Sequence, residues 1–311
     1  MPSVRAKRWD GQIRLFSKAT GKLYYGLLPY VEHFIENSGG TIIREGLEKP
    51  TSGSLSDSFS KFANKIIKDS IKIRDYQLSA FSHAINHKRA ILLSPTASGK
   101  SLIIYCIIRL LTSLVEQMYK DFEDYGWDAE NFVQRKYYGY EIDDSKPVVI
   151  STWQSLATFD KKYFEKFDCV VGDEAHLYKS KELQKIMTAC INAKYRIGTT
   201  GTLDDSKVHK LVLEGLFGRV HSVTTTRELI DKKQLADLKI QCLILKYSQD
   251  ECKHVKKLNY QEEMDYIVSH QKRNNFIKNL TKTRTGNTLV LFQYVEKHGK
   301  ILHDLIGDTL D

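Results

Sequence analysis

Short apolar runs and helical periodicities divide the chain into three stretches of different character. In the first, Gly11–Phe16 and Leu23–Leu28 are β-type runs joined by the turn-rich Ser17–Lys22, which predicts a hairpin. Pro29 suits the first turn of a helix carrying Val31, Phe34 and Ile35, and Gly39-Gly40 stops it. Thr41–Arg44 reads as a returning third strand. Thr51–Ser60, rich in Ser and other polar residues, reads as a linker or long loop. Residues 1–70 are therefore expected to form a small α+β module with its linker.

From Arg74 the pattern changes. Ala90–Leu93, Val148–Ser151, Cys169–Gly172 and Arg196–Thr199 are short buried-type strands, each followed by polar residues and then a helical stretch. That alternation predicts an α/β domain over 71–230, a parallel sheet with flanking helices. Between Lys100 and Tyr125 there is no Gly or Pro, and Ile103, Ile107, Leu110, Leu111, Leu114, Val115 and Met118 keep a helical spacing. A helix is expected across that stretch. In the third stretch, 231–311, Leu238–Tyr247 is β-rich, Asn259–Lys282 reads as helix, and Thr288–Phe292 reads as a buried strand followed by helix from Val295.

Composition narrows the class. The 311 residues suffice for about two domains. The longest apolar run, around Ile103–Ile108, is far below the roughly 18 residues of a membrane span, and no N-terminal signal pattern is present, so no membrane partner is expected and the protein is read as soluble and intracellular. Five cysteines with no C-x-x-C pair argue against a disulfide framework or a zinc site. The net charge is +9, and Arg5, Lys7, Arg8, Arg14, Lys18 and Lys22 face only Asp10 in residues 1–24. Such an arm suits a nucleic-acid backbone, with Arg5, Arg8 and Arg14 as candidate contacts; a solvated surface is the other reading.

The chemistry concentrates in two places. Ser94-Pro-Thr-Ala-Ser-Gly-Lys-Ser101 follows a predicted strand and opens a helix, the context of a phosphate-binding loop. Thr96, Ala97, Ser98 and Gly99 would turn backbone N–H groups toward an anion, Lys100 would place its ammonium on the β- and γ-phosphates, and Ser101 would ligate Mg²⁺. Ser94 stands where the usual pattern has its first glycine. Further on, Asp168-Cys-Val-Val-Gly-Asp-Glu-Ala-His176 is an apolar strand ending in adjacent carboxylates. Asp173 could hold Mg²⁺ and Glu174 could orient and polarise the attacking water. Two carboxylates at the mouth of a buried strand call for a cation to share, so ATP with Mg²⁺ is the expected cofactor pair and Lys100, Asp173 and Glu174 the expected catalytic set.

Together with Thr199-Thr-Gly-Thr202, these segments resemble motifs I, II and III of the superfamily 2 helicases, in the DEAH-type form with His176. The resemblance implies a RecA-like lobe over 71–230 and, in Asn287–Tyr294, the start of a second lobe. It also implies that Arg74, Tyr76 and Gln77 belong to an adenine-recognising motif, and that His176, Thr200 and Thr202 couple the nucleotide site to the rest of the motor. Thr112 and Thr152 would be DNA-backbone contacts. Arg8–Phe16, Val148–Leu156, Val223–Thr226 and Leu258–Glu262 are further similar to the recombination helicases of T4-like phages. That likeness implies ATP-driven action on branched or single-stranded DNA, other recombination proteins as partners, and the cytoplasm of an infected bacterium as the setting.

Two departures from the family pattern stand out. Leu110-Leu111 runs directly into Thr112–Met118, so that roughly a dozen residues, enough for one sheet strand, are missing after the phosphate-loop helix. No counterpart of the family's arginine-finger motifs precedes Asp311, so the chain reads as an N-terminal fragment with weak turnover of its own. The competing readings are the motor subunit of a restriction system and a DNA-binding protein that ATP merely switches.

Overall fold

The computed structural model describes residues 13–45, 56–68, 70–111, 124–126, 128–136, 146–203, 207–237 and 239–307. It divides into two compact units, Met1–Asp237 and Leu238–Asp311. In the first unit, β3 (Arg89–Leu93), β6 (Cys169–Gly172), β7 (Tyr195–Thr200) and β8 (Val220–Ser222) form a wholly parallel sheet in the order β6-β7-β3-β8. A separate parallel pair joins β4 (Val133–Lys136) to β5 (Val148–Ser151). The four strands expected from the sequence thus all form, but Val148–Ser151 lies outside the main sheet, and β4 and β8 had no strand signal of their own.

The period of two along β3 explains the layering. Ala90 and Leu92 face a core shared with α2 (Ser56–Ile66), α3 (Asp75–His87) and α4 (Lys100–Leu111), where Phe59, Ala63, Phe81, Ile103 and Ile107 are buried. Ile91 faces the opposite core with Val212, Leu213, Leu216 and Phe217 of α9 (Lys207–Phe217). A sheet covered on both faces accounts for strands that are apolar throughout rather than alternating.

At the N-terminal end, β1 (Phe16–Ser17) and β2 (Lys22–Leu23) pair antiparallel across a turn closed by Gly21 at φ +66°. The hairpin is shorter than expected: Tyr25–Leu27 leaves the second run as a 3₁₀ turn and leads into α1 (Leu28–Asn37), with Pro29 in its first turn. The turn is drawn out of the strand by tertiary packing. Gly26 lies against α9, where a Cβ would overlap the Glu214 carbonyl oxygen. Beside it the Tyr30 hydroxyl donates to the buried Glu214 Oε2 at 2.6 Å, and the Arg89 guanidinium lies 4.6 Å from the Tyr25 ring centre. Thr41–Arg44 makes no strand; Arg44 bonds back to Glu32 at 2.7 Å instead. Residues 56–60 of the expected linker are helical, because Phe59 anchors them in the core. The expected helix over Lys100–Tyr125 is described as far as Leu111, and residues 112–123 lie outside the described residues.

The second unit is helical where described: α11 (Gln249–Val255), α12 (Tyr260–Ser269), α13 (Gln271–Lys282) and α14 (Lys300–Gly307), the last preceded by a π-type turn over Val295–Gly299. The helix expected over Asn259–Lys282 is broken at His270, whose Nδ1 accepts the Arg273 amide at 3.2 Å and whose Nε2 lies 3.1 Å from Glu251 Oε1. His270 is therefore a helix cap. Neither 239–247 nor 288–292 forms the expected strand. Both runs lack a strand partner among the described residues, and Leu289 and Leu291 are 82% and 83% exposed.

His83 on α3 was expected at the surface, yet its ring stacks on His221 of β8 at 3.8 Å and on His87 at 4.0 Å. Burial, then the neighbouring His221 and His87, push the His83 pKa down to about 4. The folded state therefore binds this proton less readily than the unfolded chain does. Its contribution to stability is complete above the ordinary histidine pKa and is lost as pH falls from about 6.5 toward 4. For a half-exposed ring this is worth about 1–2 kcal/mol once solvent screening is allowed for. Urea unfolding should show that loss across the window, and His83→Leu should flatten it.

Candidate functional site

Because β3, β6 and β7 are parallel neighbours, with Leu93 opposite Thr200 and Gly172 opposite Gly198, the loops that follow them leave one end of the sheet together. These are the phosphate-type loop 94–99, the acidic turn 173–174 and the Gly201-Thr202 turn. Ligands of open parallel sheets sit at this end of the strands.

The loop after β3 is held from three sides. The Ser94 amide donates to the Thr200 carbonyl at 2.9 Å, and the Ser94 and Ser98 hydroxyls, both fully buried, lie 2.6 Å apart. Ser94, the departure from the glycine pattern, therefore serves as an internal tie across the loop. Ala97 and Gly99 take the left-handed region at φ 63° and 78°. At Gly99 glycine is required sterically as well, since a Cβ would overlap the Gln77 side-chain nitrogen. Thr96 and Ala97 are exposed on the loop. Lys100 and Ser101 open the twelve-residue α4, whose N-terminus favours an anion. Lys100 is half-buried and makes no hydrogen bond or ion pair with the described residues, which leaves a cation available at that helix start.

The Arg74–Gln77 segment packs against the same loop. Gln77 Nε2 and the Tyr76 hydroxyl both donate to the Ser98 carbonyl at 2.9 Å, the Arg74 amide donates to Gln77 Oε1 at 2.9 Å, and Arg74 Nη1 donates to the Tyr76 hydroxyl at 2.8 Å. Gln77 is buried with both ends of its amide engaged, so it is tied directly to the loop conformation.

On the acidic turn, Asp173 Oδ1 accepts the Thr199 hydroxyl at 2.6 Å and the Glu174 amide at 3.0 Å, which leaves Oδ2 exposed. Glu174 is itself left-handed, at φ 48° and ψ 51°. A non-glycine residue held there costs about 1 kcal/mol or more, the kind of local strain that clusters at working sites. His176 Nδ1 lies 2.9 Å from the Thr200 hydroxyl, which donates onward to the Thr202 carbonyl at 2.8 Å. With the hydroxyl proton used, His176 Nδ1 is the donor. Its distance to Glu174 Oε2 is 3.3 Å. Thr199 was passed over in the sequence, where Thr200 and Thr202 were singled out; its pairing through β7 with the β6 carboxylate follows from sheet register alone.

Of the DNA-contact candidates, Thr152 caps α6 (Trp153–Leu156) on the exposed surface, with Oγ1 3.1 Å from Ser155 Oγ, and Arg14 is exposed. Arg5, Arg8 and Thr112 lie outside the described residues, as do Trp9 and the Asp204-Asp205 pair. Burial pushes the Cys106 and Cys169 thiols up to about 12, and the described residues hold no cluster of three metal-ligating side chains. The site still suits a nucleotide-borne Mg²⁺, which takes one or two carboxylate or hydroxyl ligands beside the phosphates. Asp173 offers a free oxygen, and Ser101 offers a hydroxyl at the helix start.

A family model described as the type III restriction enzyme res subunit matches residues 70–205. The chain is 30% identical, over 336 aligned positions, to the protein described as the ATP-dependent DNA helicase uvsW of Enterobacteria phage T4, with all of this chain aligned. A crystal structure of T4 UvsW superposes at a TM-score of 0.59 with 27% identity, covering 100% of this chain and 66% of that one. The chain belongs to the superfamily 2 helicases. A second T4 UvsW helicase structure gives a TM-score of 0.62 at 27% identity over 71% of this chain and 86% of that one. A superfamily member described as the DNA 3'-5' translocase XPB2, from Sulfurisphaera tokodaii, is 30% identical over 206 residues, 60% of this chain and 44% of its own length. This superfamily 2 chain spans 66% of the length of its phage relative. No helix among its described residues is long and apolar enough to cross a membrane.

Proposed function

We propose that this chain carries the ATP-binding lobe of an ATP-dependent DNA helicase or translocase that works on branched DNA in recombination, in the cytoplasm of a phage-infected bacterium. The observation that carries the reading is the convergence of an unpaired Lys100, the Asp173-Glu174 turn and the His176–Thr200–Thr202 chain at one end of the parallel sheet. The helicase and translocase relatives support ATP and DNA as its ligands.

In this reading the N–H groups at the start of α4 and the Lys100 ammonium hold the β- and γ-phosphates. Asp173 and Ser101 would hold Mg²⁺, which when bound neutralises phosphate charge. Glu174 orients the attacking water, and its strained backbone fixes the carboxylate against the turn. His176 passes a change at Glu174 to Thr200 and then to the Thr202 turn. Arg74, Tyr76 and Gln77 bind the adenine side and report the state of the loop through the Ser98 carbonyl. Arg5, Arg8, Arg14, Thr112 and Thr152 contact the DNA backbone.

The test is direct ATP binding together with hydrolysis, with and without a synthetic four-way junction. Lys100→Ala is expected to weaken ATP binding about 10- to 150-fold, the worth of a charge-assisted bond to an anion. Lysine-independent binding would overturn the assignment. The restriction-type family model favours a second reading, a motor that translocates on duplex DNA without separating strands. DNA-stimulated hydrolysis with no unwinding of a forked substrate would select it.

A further inference from the structure

A cavity of about 580 Å³ lies between β5 and β6, inside the first unit. All four β5 residues line it, and so do Asp168 and three consecutive residues of β6, Cys169–Val171. Successive strand residues point to opposite faces. A space touched by consecutive residues of both strands therefore meets their edges. β5 is bonded to β4 on its other edge and β6 to β7 on its other edge, and no strand among the described residues pairs with either facing edge. Ile104, Ile108 and Leu111 of α4 wall the cavity, as do Leu183 and Ile186 of α8 (Lys181–Ala189). These two groups belong to different cores. Val171 packs with the α4 core and Val170 with the α8 side, so the space is apolar on both faces of the sheet plane.

We propose that this slot receives an extended segment of another polypeptide. About four residues long and apolar on both faces, it inserts as an added strand between β5 and β6 and joins the two sheets into one. Two opposed edges offer ladders of N–H and C=O groups, which a small apolar molecule cannot satisfy and a strand can. Walls apolar on both sides select an uninterrupted β-branched run rather than an alternating one. A donor outside the chain is indicated by the residues missing after Leu111. The alignment with the phage relative runs to 336 positions against 311 residues here, so this chain lacks residues that its relative has. The inference is independent of the ATP reading, since it uses no nucleotide-site contact.

The probe is a fluorescein-labelled hexapeptide, Lys-Val-Ile-Val-Ile-Lys, followed by anisotropy and by amide hydrogen exchange. A control peptide with proline at its third position lacks a ladder N–H. Binding is expected to be at least tenfold weaker for the proline peptide and for the Ile108→Glu chain. Exchange at 148–151 and 169–171 should slow at least tenfold when the first peptide binds, a readout on the unmutated chain that does not depend on the variant folding. Four outcomes would overturn the proposal: no binding, equal binding of the proline peptide, amides in the free chain already as protected as those of β7 (the slot filled by the chain itself), or displacement by an apolar dye with no change in exchange (an ordinary apolar pocket).

Discussion

Glu174→Gln is expected to lower ATP hydrolysis by about 10²–10⁴-fold while leaving ATP affinity within roughly threefold, because a positioned carboxylate acts on the attacking water and not on the bound phosphates. The substitution keeps the size and shape of the side chain, so the left-handed turn at φ 48° should survive. It removes the charge that lies 3.3 Å from His176 Nδ1. Single-turnover hydrolysis of radiolabelled ATP, beside binding of a non-hydrolysable analogue, separates the two effects. Equal losses in binding and turnover would remove Glu174 from the water-activating role. Asp173→Asn should behave differently, with loss of Mg²⁺-dependent nucleotide affinity, since Asp173 Oδ1 is held by Thr199 and only its other oxygen remains for a cation.

Arg196→Met is expected to destabilise the first unit by about 2–4 kcal/mol, the largest stability effect of any single change argued for this chain. Arg196 is only 8% exposed and has no carboxylate partner. Its Nη1 and Nη2 donate to the Met187 and Cys190 carbonyls at 2.6 Å each, and its Nε donates to the Ala193 carbonyl at 3.3 Å. Those acceptors surround the C-terminal end of α8, where carbonyls have no partner within the helix and a cation is favoured by the helix dipole. Burial lowers the arginine pKa, yet its carbonyl partners keep the charge in place. Methionine fills a similar volume and leaves buried carbonyls unpaired. The urea midpoint should fall with the slope unchanged; a shift under 0.5 kcal/mol would mean that water or neighbouring amides replace the guanidinium.

The sequence by itself determined the nucleotide site. Ser94–Ser101 and Asp173–His176 are local patterns, read from spacing because phosphate and metal chemistry need those residue types at strand ends, whatever the rest of the fold does. The same holds for the four apolar strands of 90–93, 148–151, 169–172 and 196–199, which are short, buried runs with a clear period. What only the tertiary structure decided is which of these strands meet. Val148–Ser151 pairs with β4 and not with the main sheet, and no local signal sets that choice. Tyr25–Leu27 leaves its strand because Gly26 must lie against Glu214. The apolar runs of 239–247 and 288–292 have strand composition but find no neighbour among the described residues, and without a ladder partner a β-type run forms no strand. Thr199 and Arg196 gain their roles through register and burial, which join residues far apart in the chain and leave no mark in the local pattern.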